Sequence, residues 1–470
     1  MSRGDARHIR LRSFLPELVV VLVLALALVS FEFDLGRRLG IAPESPADIT
    51  APEGLDLPGL PAPEPVAAAV VGGSPSTAAV RAALSPYLGD RKLGRHVVAA
   101  VGTVDGSTVY DNGGGLVTPA SMTKLLTSAA ALASLGPDRR FTTRVVAGNG
   151  RRVVLVGGGD PFLLSKPRDG DSYPSYADVR TLARRTAVAL RKQGRAAVSL
   201  GFDDSLFDGP TFNPAWPADY AADVVPPITA LWVDDGDKRD GWGYESDPSQ
   251  AAAEVFADEL RDTGIRVQGR PARMVAPHGA TRIAAVQSPT VRQVVDRVLL
   301  VSDNEAAEML AHHVGLAEGF GGSFEGGSRG IRAVLGELGV TLGPREVVYD
   351  GSGLSRRNRL TPATLLRVLA LGAVESRPEL RNLVTGLPVA AFNGSLGYRF
   401  DDSRPAGRGR VAAKTGTLTG VSGLAGIATD LDGNPLLFVV AADKVRKADT
   451  EDARDALDRL AAALGACHCS

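Results

Sequence analysis

The chain has 470 residues, of which 44% are hydrophobic and 22% are charged, and its formal net charge is -1 at pH 7. These values are typical of a globular protein with room for more than one domain. The near-neutral charge, with no Lys/Arg-rich block that carries interleaved aromatic residues, excludes a nucleic-acid-binding protein.

The sequence before residue 78 predicts export and attachment to a membrane. Residues 1–13 are arginine-rich, and residues 14–33 are largely apolar, as in a secretory signal or an anchor. The bulky VSFEFD at the end of the apolar segment lacks the small residues of a signal-peptidase site. This favours an uncleaved anchor, with a cleaved signal peptide as the alternative. Residues 34–77, rich in Pro, Ala and Gly, predict an extended linker that carries the body outside the cytoplasm.

The body opens with a predicted helix, TAAVRAALSPYL, and a hairpin, HVVAAVGTVDGSTVYDNGG, whose turn contains Asp105-Gly106. The next segment, TPASMTKLLTSAAALASLG, predicts a helix that begins near Ser121. Its only charged residue is Lys124. Small and apolar residues surround this lysine on nearly every helical face, so it is expected to be buried.

Ser121 and Lys124 have the spacing of a nucleophile and its base. By itself, S-x-x-K more often marks a helix N-cap followed by a solvent-exposed lysine. Here no acidic residue lies within two turns of Lys124, and a buried, unpaired lysine tends to lose its proton. Residues i and i+3 share a helix face, so the Lys124 amine would lie beside the Ser121 hydroxyl and activate it.

Residues 141–284 predict a large insertion into the domain that contains Ser121. The insertion opens with a strand, RRVVLVGGGDPFL, and continues with the helices ADVRTLARRTAVALRKQG and QAAAEVFADELRDTG. Residues 78–140 and 285–470 would together form the catalytic domain.

The C-terminal part predicts three strands within GRVAAKTGTLTGVSGLAGIATDLDGNPLLFVVAAD and a closing amphipathic helix, DTEDARDALDRLAAALG. Strands near both ends of the body indicate one antiparallel sheet built from the two termini, in an α/β fold in the loose sense (α+β). Cys467 and Cys469 follow the last helix. Pairing with each other, pairing with another chain and an unpaired tail all stay open.

Two further short motifs follow S-x-x-K along the chain. S-D-N at residues 302–304 stands at the start of a predicted helix, and K-T-G at residues 414–416 lies on a predicted strand. Each is weak alone, because S-x-N is common at helix N-caps and K-T-G occurs by chance in strands. In this order the three motifs are those of penicillin-binding proteins and class A β-lactamases.

With these motifs, and with LVGGGDPFL, FNPAWP, DGSGLSRRN and AAKTGTL, the chain from about Ala78 to about Leu464 resembles the serine D-alanyl-D-alanine carboxypeptidase/endopeptidase family, the low-molecular-mass class C penicillin-binding proteins. The resemblance implies a penicillin-binding-protein/serine β-lactamase-like transpeptidase domain that carries the inserted segment. It also implies action on peptidoglycan stem peptides and acylation by β-lactam antibiotics. We expect no cofactor and no metal.

The resemblance assigns a role to each catalytic residue. Ser121 would attack the D-Ala-D-Ala carbonyl with Lys124 as its base, and water would then hydrolyse the acyl-enzyme. Ser302 would relay the proton to the leaving amine, and Asn304 would orient the substrate amide. Lys414 would keep Lys124 deprotonated by its positive charge and hold the substrate carboxylate.

The substrate-binding residues follow from the same resemblance. The strand Thr415, Gly416 and Thr417 would line the cleft, with the two threonine hydroxyls on the substrate carboxylate and the N–H groups of Ser121 and Thr417 in the oxyanion hole. Asp160, in GGGDP, is either a turn residue or the partner of the side-chain amine of a diamino acid in the stem peptide. The sequence leaves these two interpretations open.

Other hydrolase and metal sites fit the sequence less well. The one G-x-S-x-G, at residues 326–330, follows a Gly-rich stretch and not an apolar strand, so Ser328 is interpreted as the cap of the helix GIRAVLGELG and not as a nucleophile. His312 and His313 have no partner at i+4 for a metal. The acidic residues at 234–240 depart from EF-hand spacing and predict a solvated loop.

Within the penicillin-binding superfamily the large insertion argues against a β-lactamase. A non-catalytic cell-wall-binding or β-lactam-sensing module is the alternative of a different class, and it is disfavoured because every motif serine and lysine is present. Carboxypeptidase, endopeptidase and transpeptidase share all the residues named above, so the sequence leaves their balance open.

Overall fold

The computed structural model describes residues 74–113, 115–168, 174–400 and 405–469. All of them lie in the unit Val70–Ser470. The predicted basic tail, the apolar segment at 14–33 and the linker before residue 74 lie outside the described residues. In the part that is described, no helix is both long and apolar enough to cross a bilayer.

Strands of the described residues form two five-stranded sheets. The strands are β1 Val97–Gly102, β2 Thr108–Asp111, β3 Arg140–Ala147, β4 Arg152–Val156, β5 Ala197–Asp203, β6 Arg266–Arg273, β7 Arg282–Thr290, β8 Val411–Leu418, β9 Val421–Thr429 and β10 Pro435–Ala442.

The first sheet has the order β2-β1-β10-β9-β8, and every neighbouring pair is antiparallel. The sheet predicted from the two termini is therefore confirmed. Alternate residues of β10 enter two cores, Leu437 and Val439 on one face and Phe438 and Val440 on the other. Burial on both faces explains why this strand is apolar throughout.

The second sheet, β6-β5-β4-β3-β7, lies between Arg140 and Thr290. The pairs β4/β5 and β5/β6 are parallel, whereas β3 is antiparallel to both of its neighbours. From the sequence only the strand near Arg152 was predicted here. The inserted segment thus carries its own sheet, while the boundaries at residues 141 and 284 stay a prediction.

Helices surround the two sheets. They are α1 Thr77–Leu88, α2 Thr123–Leu135, α3 Val179–Lys192, α4 Tyr220–Asp223, α5 Pro248–Asp262, α6 Val291–Leu300, α7 Asn304–Ala317, α8 Phe324–Glu337, α9 Pro362–Ala373, α10 Asn382–Thr385 and α11 Thr450–Gly465.

Helix α2 is the centre of the main core. Ten of its 13 residues are buried, and it contacts α6, α7, α8 and α9. A helix that is small and apolar on all sides has no solvent face, which is why it can be enclosed by other helices. This position buries Lys124 along with its apolar neighbours.

The structure corrects the predicted role of Ser328 and decides how the two cysteines pair. Ser328 lies inside α8 and does not cap it, because the N-cap is Ser323, whose side chain accepts from the Gly326 N–H. The glycines of G-x-S-x-G serve helix packing, since a Cβ on Gly327 would lie 2.7 Å from the Ala311 carbonyl oxygen of α7. Cys467 and Cys469 form a disulfide with each other.

Candidate active site

Ser121 lies in a single turn of 3₁₀-helix, Ala120–Met122, that leads directly into α2. The turn begins with Ala120 at φ 47°, an uncommon conformation for a residue with a side chain. A loop at residues 350–355 packs against this turn so closely that a Cβ on Gly353 would collide with the Ala120 carbonyl oxygen. The predicted nucleophile is therefore held between α2 and a neighbouring loop.

Lys124 is fully buried and contacts three groups. Its Nζ lies 3.0 Å from Ser121 Oγ, 2.8 Å from Asn304 Oδ1 and 2.7 Å from the Ser352 carbonyl oxygen. Burial lowers the pKa of Lys124 to about 8, while the carboxylates of Glu308 and Asp350 act in the opposite direction. The structure thus brings the predicted nucleophile, base and S-x-N asparagine into direct contact.

Glu308 is a site residue that the sequence analysis missed. Its carboxylate accepts the N–H groups of Gly351 and Ser352, at 3.0 and 2.7 Å. These bonds fix the loop whose Ser352 carbonyl accepts from Lys124. Burial raises the pKa of Glu308. The available signal was its position four residues after Asn304, which places both side chains on one face of α7.

Asp350, also missed, organises the same loop from the other end. It accepts the N–H groups of Gly353 and Ser355 and the Asn358 side chain. Trp216 of FNPAWP donates its Nε1–H to the second carboxylate oxygen of Asp350 at 2.7 Å. The segments FNPAWP and DGSGLSRRN are therefore in contact, next to the turn that contains Ser121.

The S-x-N motif stands at the start of α7. Ser302 has φ 66°, and Asp303 is the N-cap, with its side chain accepting from the Ala306 N–H. Arg297 Nε also donates to Asp303 at 2.8 Å. This ion pair and cap fix the turn that presents Asn304 to Lys124 and places Ser302 two residues before it.

The K-T-G motif lies on β8, as predicted. Lys414 is fully buried, and burial, with the charge of Lys124, lowers its pKa well below its usual value. The Thr415 hydroxyl donates to Ser395 Oγ at 2.9 Å, and Thr417 is exposed. A Cβ on Gly416 would lie 2.6 Å from the Pro119 carbonyl oxygen, so β8 runs immediately beside the turn of Ser121.

The effect predicted for Lys414 is only a minor part of the electrostatics. The main cause that lowers the pKa of Lys124 is its own burial, and the strongest charges near it are carboxylates. A low pKa for this amine therefore follows chiefly from the apolar surroundings of α2.

Asp160 follows β4 and is almost fully buried. Its Oδ1 accepts the Phe162 N–H at 2.9 Å, which is an Asx turn. Its Oδ2 is buried and has no hydrogen-bond partner within the described residues. Burial raises the pKa of Asp160 to about 7. No hydrogen bond between described residues joins Asp160 to the group around Ser121.

The two neighbouring histidines are buried, and the acidic loop is partly buried. His313 Nε2 lies 2.9 Å from the Gly159 carbonyl, and burial lowers its pKa to about 3. Groups of three or more metal-ligating side chains are not found among the described residues. The acidic loop is less solvated than predicted, because Asp235 is half-buried and burial raises its pKa to about 7.

Comparison with known proteins decides the family. A sequence model of the D-Ala-D-Ala carboxypeptidase 3 (S13) family matches residues 80–240 and 242–464. The chain belongs to the S13 family. Its predicted family, its fold class and its activity as a serine peptidase of the D-Ala-D-Ala carboxypeptidase type are thereby confirmed.

The similarity of this S13 chain to known relatives extends over most of its length. Carboxypeptidase DacB of Mycolicibacterium smegmatis is 33% identical over 98% of this chain and 97% of its own. A carboxypeptidase of Mycobacterium tuberculosis is 34% identical over 84% of this chain and 86% of its own. Penicillin-binding protein 4 of Haemophilus influenzae, at 21% identity, has the same fold, with a TM-score of 0.66 over 80% of this chain and 98% of its own.

Proposed function

We propose that Ser121 and Lys124 carry out acyl transfer on the D-Ala-D-Ala end of peptidoglycan stem peptides, as in serine carboxypeptidases and endopeptidases. The observation that supports this most directly is the hydrogen bonding of Lys124. A neutral amine has two hydrogens, which Asn304 Oδ1 and the Ser352 carbonyl accept. Its lone pair is then left for the Ser121 hydroxyl, which is the arrangement of a general base.

The proposed reaction begins when Ser121 Oγ attacks the carbonyl carbon of the penultimate D-Ala and Lys124 accepts the hydroxyl proton. The N–H groups of Ser121 and Thr417 stabilise the oxyanion. Ser302 passes a proton to the amine of the departing D-Ala, which breaks the peptide bond. Water then attacks the acyl-enzyme and releases the shortened peptide and Ser121.

Lys414 and its strand are proposed to bind the substrate carboxylate. The buried Lys414 amine and the exposed Thr417 hydroxyl supply hydrogen-bond donors at the edge of β8, and a bound carboxylate would favour the charged form of Lys414. The Thr415 hydroxyl is held by Ser395, and Gly416 lets the strand approach the nucleophile turn. Asn304 would orient the substrate amide with its side-chain N–H groups, because its Oδ1 is already bonded to Lys124.

Asp160 is proposed to recognise the side-chain amine of the diamino acid. The support is the buried Oδ2 with no partner among the described residues, which a charged amine would satisfy. An Asx turn uses only Oδ1, so both interpretations of this residue are compatible.

Membrane attachment through residues 14–33 is proposed from the sequence. The apolar segment is preceded by the arginine-rich residues 1–13, as in a membrane anchor whose N-terminus stays in the cytoplasm. The enzyme family acts on a polymer outside the cytoplasm, which also favours an anchor. The Pro-rich linker would then hold the catalytic unit away from the bilayer.

The acyl-enzyme is tested by incubating the full chain with a labelled penicillin. We expect covalent label on the native chain and none on Ser121→Ala. Ser128→Ala is the matched control, because Ser128 is buried in the same helix and its Oγ has no hydrogen-bond partner in the described structure. Absence of label on a folded native chain would favour the non-catalytic binding module.

A further inference from the structure

The G-x-S-x-G segment that does not serve as a nucleophile elbow borders a second cavity. This cavity, of about 720 Å³, is called the Ser328 cavity here and lies between α8, the loop before α4 and the loop after residue 347. Its lining includes Asn213, Phe324, Ser328, Arg329, Tyr349 and Arg357. None of the residues assigned to acyl transfer lines it, so it is separate from the catalytic cleft.

The charge of the Ser328 cavity favours an anion. Three arginines line it, against two carboxylates, and none of the three lies within 4.0 Å of a carboxylate among the described residues. Two of the guanidinium groups stack on rings, Arg329 at 4.6 Å from Phe320 and Arg357 at 4.3 Å from Tyr349. Stacking fixes the guanidinium plane and leaves its N–H edge for a carboxylate.

The walls also offer apolar and hydroxyl contacts. Phe324 is a buried ring at the cavity, and Ser328 Oγ is buried with no hydrogen-bond partner within the described chain. A sugar ring presents an apolar face together with hydroxyls, so it would pack on the half-buried ring of Tyr349 in the cavity wall. Sugar and carboxylate together are the chemistry of peptidoglycan.

We propose that the Ser328 cavity binds a carboxylate-bearing sugar-peptide fragment of peptidoglycan. The inference rests on the proposed function, since that function places the protein on this polymer. Phosphate-bearing envelope polymers also bind arginine, but the aromatic wall favours the muramyl peptide.

Binding in the cavity is expected to change catalysis, because its wall supports the catalytic loop. Asn213 Nδ2 donates to the Tyr349 carbonyl at 2.8 Å, and the next residue, Asp350, organises the loop that contains Ser352. A fragment that contacts Asn213 and Tyr349 in the cavity wall would bias the position of the Ser352 carbonyl, which accepts from Lys124.

The binding test uses N-acetylmuramyl-L-alanyl-D-glutamate, which lacks D-Ala-D-Ala and so is not an acyl donor. The full chain is first acylated to completion with penicillin, and probe binding is measured by calorimetry. We expect the acylated chain to bind, and Arg329→Ala/Arg357→Ala to weaken binding by about tenfold or more, as loss of charge-assisted hydrogen bonds does.

The matched control is Arg184→Ala, which removes an exposed arginine of α3 outside the cavity. Penicillin labelling of each variant reports that it is folded. Full labelling of the native chain without probe binding, or unchanged binding in the double variant, overturns the inference and leaves the proposed function standing. Absence of labelling overturns the proposed function instead. Tighter binding of glycerol 3-phosphate than of the muramyl peptide overturns the peptidoglycan assignment.

The coupling is tested by the rate of penicillin acylation with and without saturating probe. We expect a change of about twofold or more in the native chain, and no change in the double variant. An identical rate with probe bound would overturn the coupling between the cavity and the catalytic loop.

Discussion

At the scale of single residues, the general-base role proposed for Lys124 predicts that its protonation limits acylation. Its pKa is lowered by burial to about 8, and only the neutral amine can accept the Ser121 proton. Below pH 8 the amine is mostly charged, so we expect the rate of penicillin acylation to rise with pH and to level off above about pH 9. Stopped-flow acylation from pH 6 to pH 10 measures this midpoint.

Glu308 is expected to set the position of that midpoint. Its negative charge favours the charged amine, so Glu308→Gln should lower the pKa of Lys124 and move the pH midpoint downward. The amide would also lose one of the two bonds to Gly351 and Ser352, which should slow acylation at every pH. Glu337→Gln, at an exposed position on α8, is the control. An unshifted midpoint would show that the carboxylate does not act on Lys124.

The three motifs in their order, and not the spacing of any one, predicted the group around Ser121, and the structure brings Ser121, Lys124 and Asn304 into contact. Glu308 and Asp350 were missed for a physical reason. Their roles are hydrogen bonds to a loop that is distant in the sequence, and a glutamate on a helix is usually solvent-exposed. The one sequence signal for Glu308 was its position four residues after Asn304, which places both side chains on the same face of α7.

At the scale of elements, the close approach of β8 to the nucleophile turn predicts an effect of Gly416→Ala. The added Cβ would lie 2.6 Å from the Pro119 carbonyl and 3.2 Å from Met122 Cγ. Overpacking of this kind costs about 1–3 kcal/mol, and relief of the clash must move the turn of Ser121. We expect a lower unfolding temperature and slower acylation.

The matched control is Gly336→Ala, in α8, where a Cβ would meet no atom within 4 Å. Removing a helical glycine there should raise stability by about 0.5–1 kcal/mol and leave acylation unchanged. Equal acylation rates in the two variants would contradict the coupling of β8 to the nucleophile turn.

Elements with strong patterning were predicted well, and the second sheet was not. Strand β10 is a short continuous apolar run and helix α11 is amphipathic with helical periodicity, and these patterns indicate their type. Strand β6, RVQGRPAR, has six exposed residues of eight and contains both Gly and Pro. This edge strand forms because it pairs with β5, and a pairing between distant segments cannot be predicted from the local sequence of β6.

At the scale of the whole molecule, the inserted segment supports the catalytic loop through Trp216. Trp216→Phe keeps a ring beside Phe324 but removes the donor to buried Asp350. The Ser355 N–H still donates to the same carboxylate oxygen, so the change removes one buried hydrogen bond, which costs about 0.5–1.5 kcal/mol. We expect lower stability and slower acylation. Trp242→Phe is the control, because Trp242 is 85% exposed. Thermal unfolding and the rate of penicillin labelling are measured for both variants. Equal unfolding temperatures and labelling rates would contradict a supporting role of Trp216.

The proposed anchor predicts where the full chain is found in a cell. Expressed in a bacterial host, it should sediment with membranes, resist extraction by high salt, and retain its first residues by mass spectrometry. Deletion of residues 1–33 should leave the enzyme in the cytoplasm, with no access to peptidoglycan. A shortened N-terminus in the mature protein would instead support a cleaved signal peptide.

The pairing of β1 with β10 has a consequence for folding. Val97 lies opposite Ala442, so strands from the two ends of the catalytic unit are neighbours in one sheet. A contact of such long sequence separation forms slowly, since closing so long a loop costs chain entropy before the contact is gained. During synthesis and export β1 appears first, and it lacks β10 as a partner until the C-terminal part of the chain has followed. During that interval its apolar edge is open to aggregation, and the enzyme is expected to depend on chaperones that hold the exported chain.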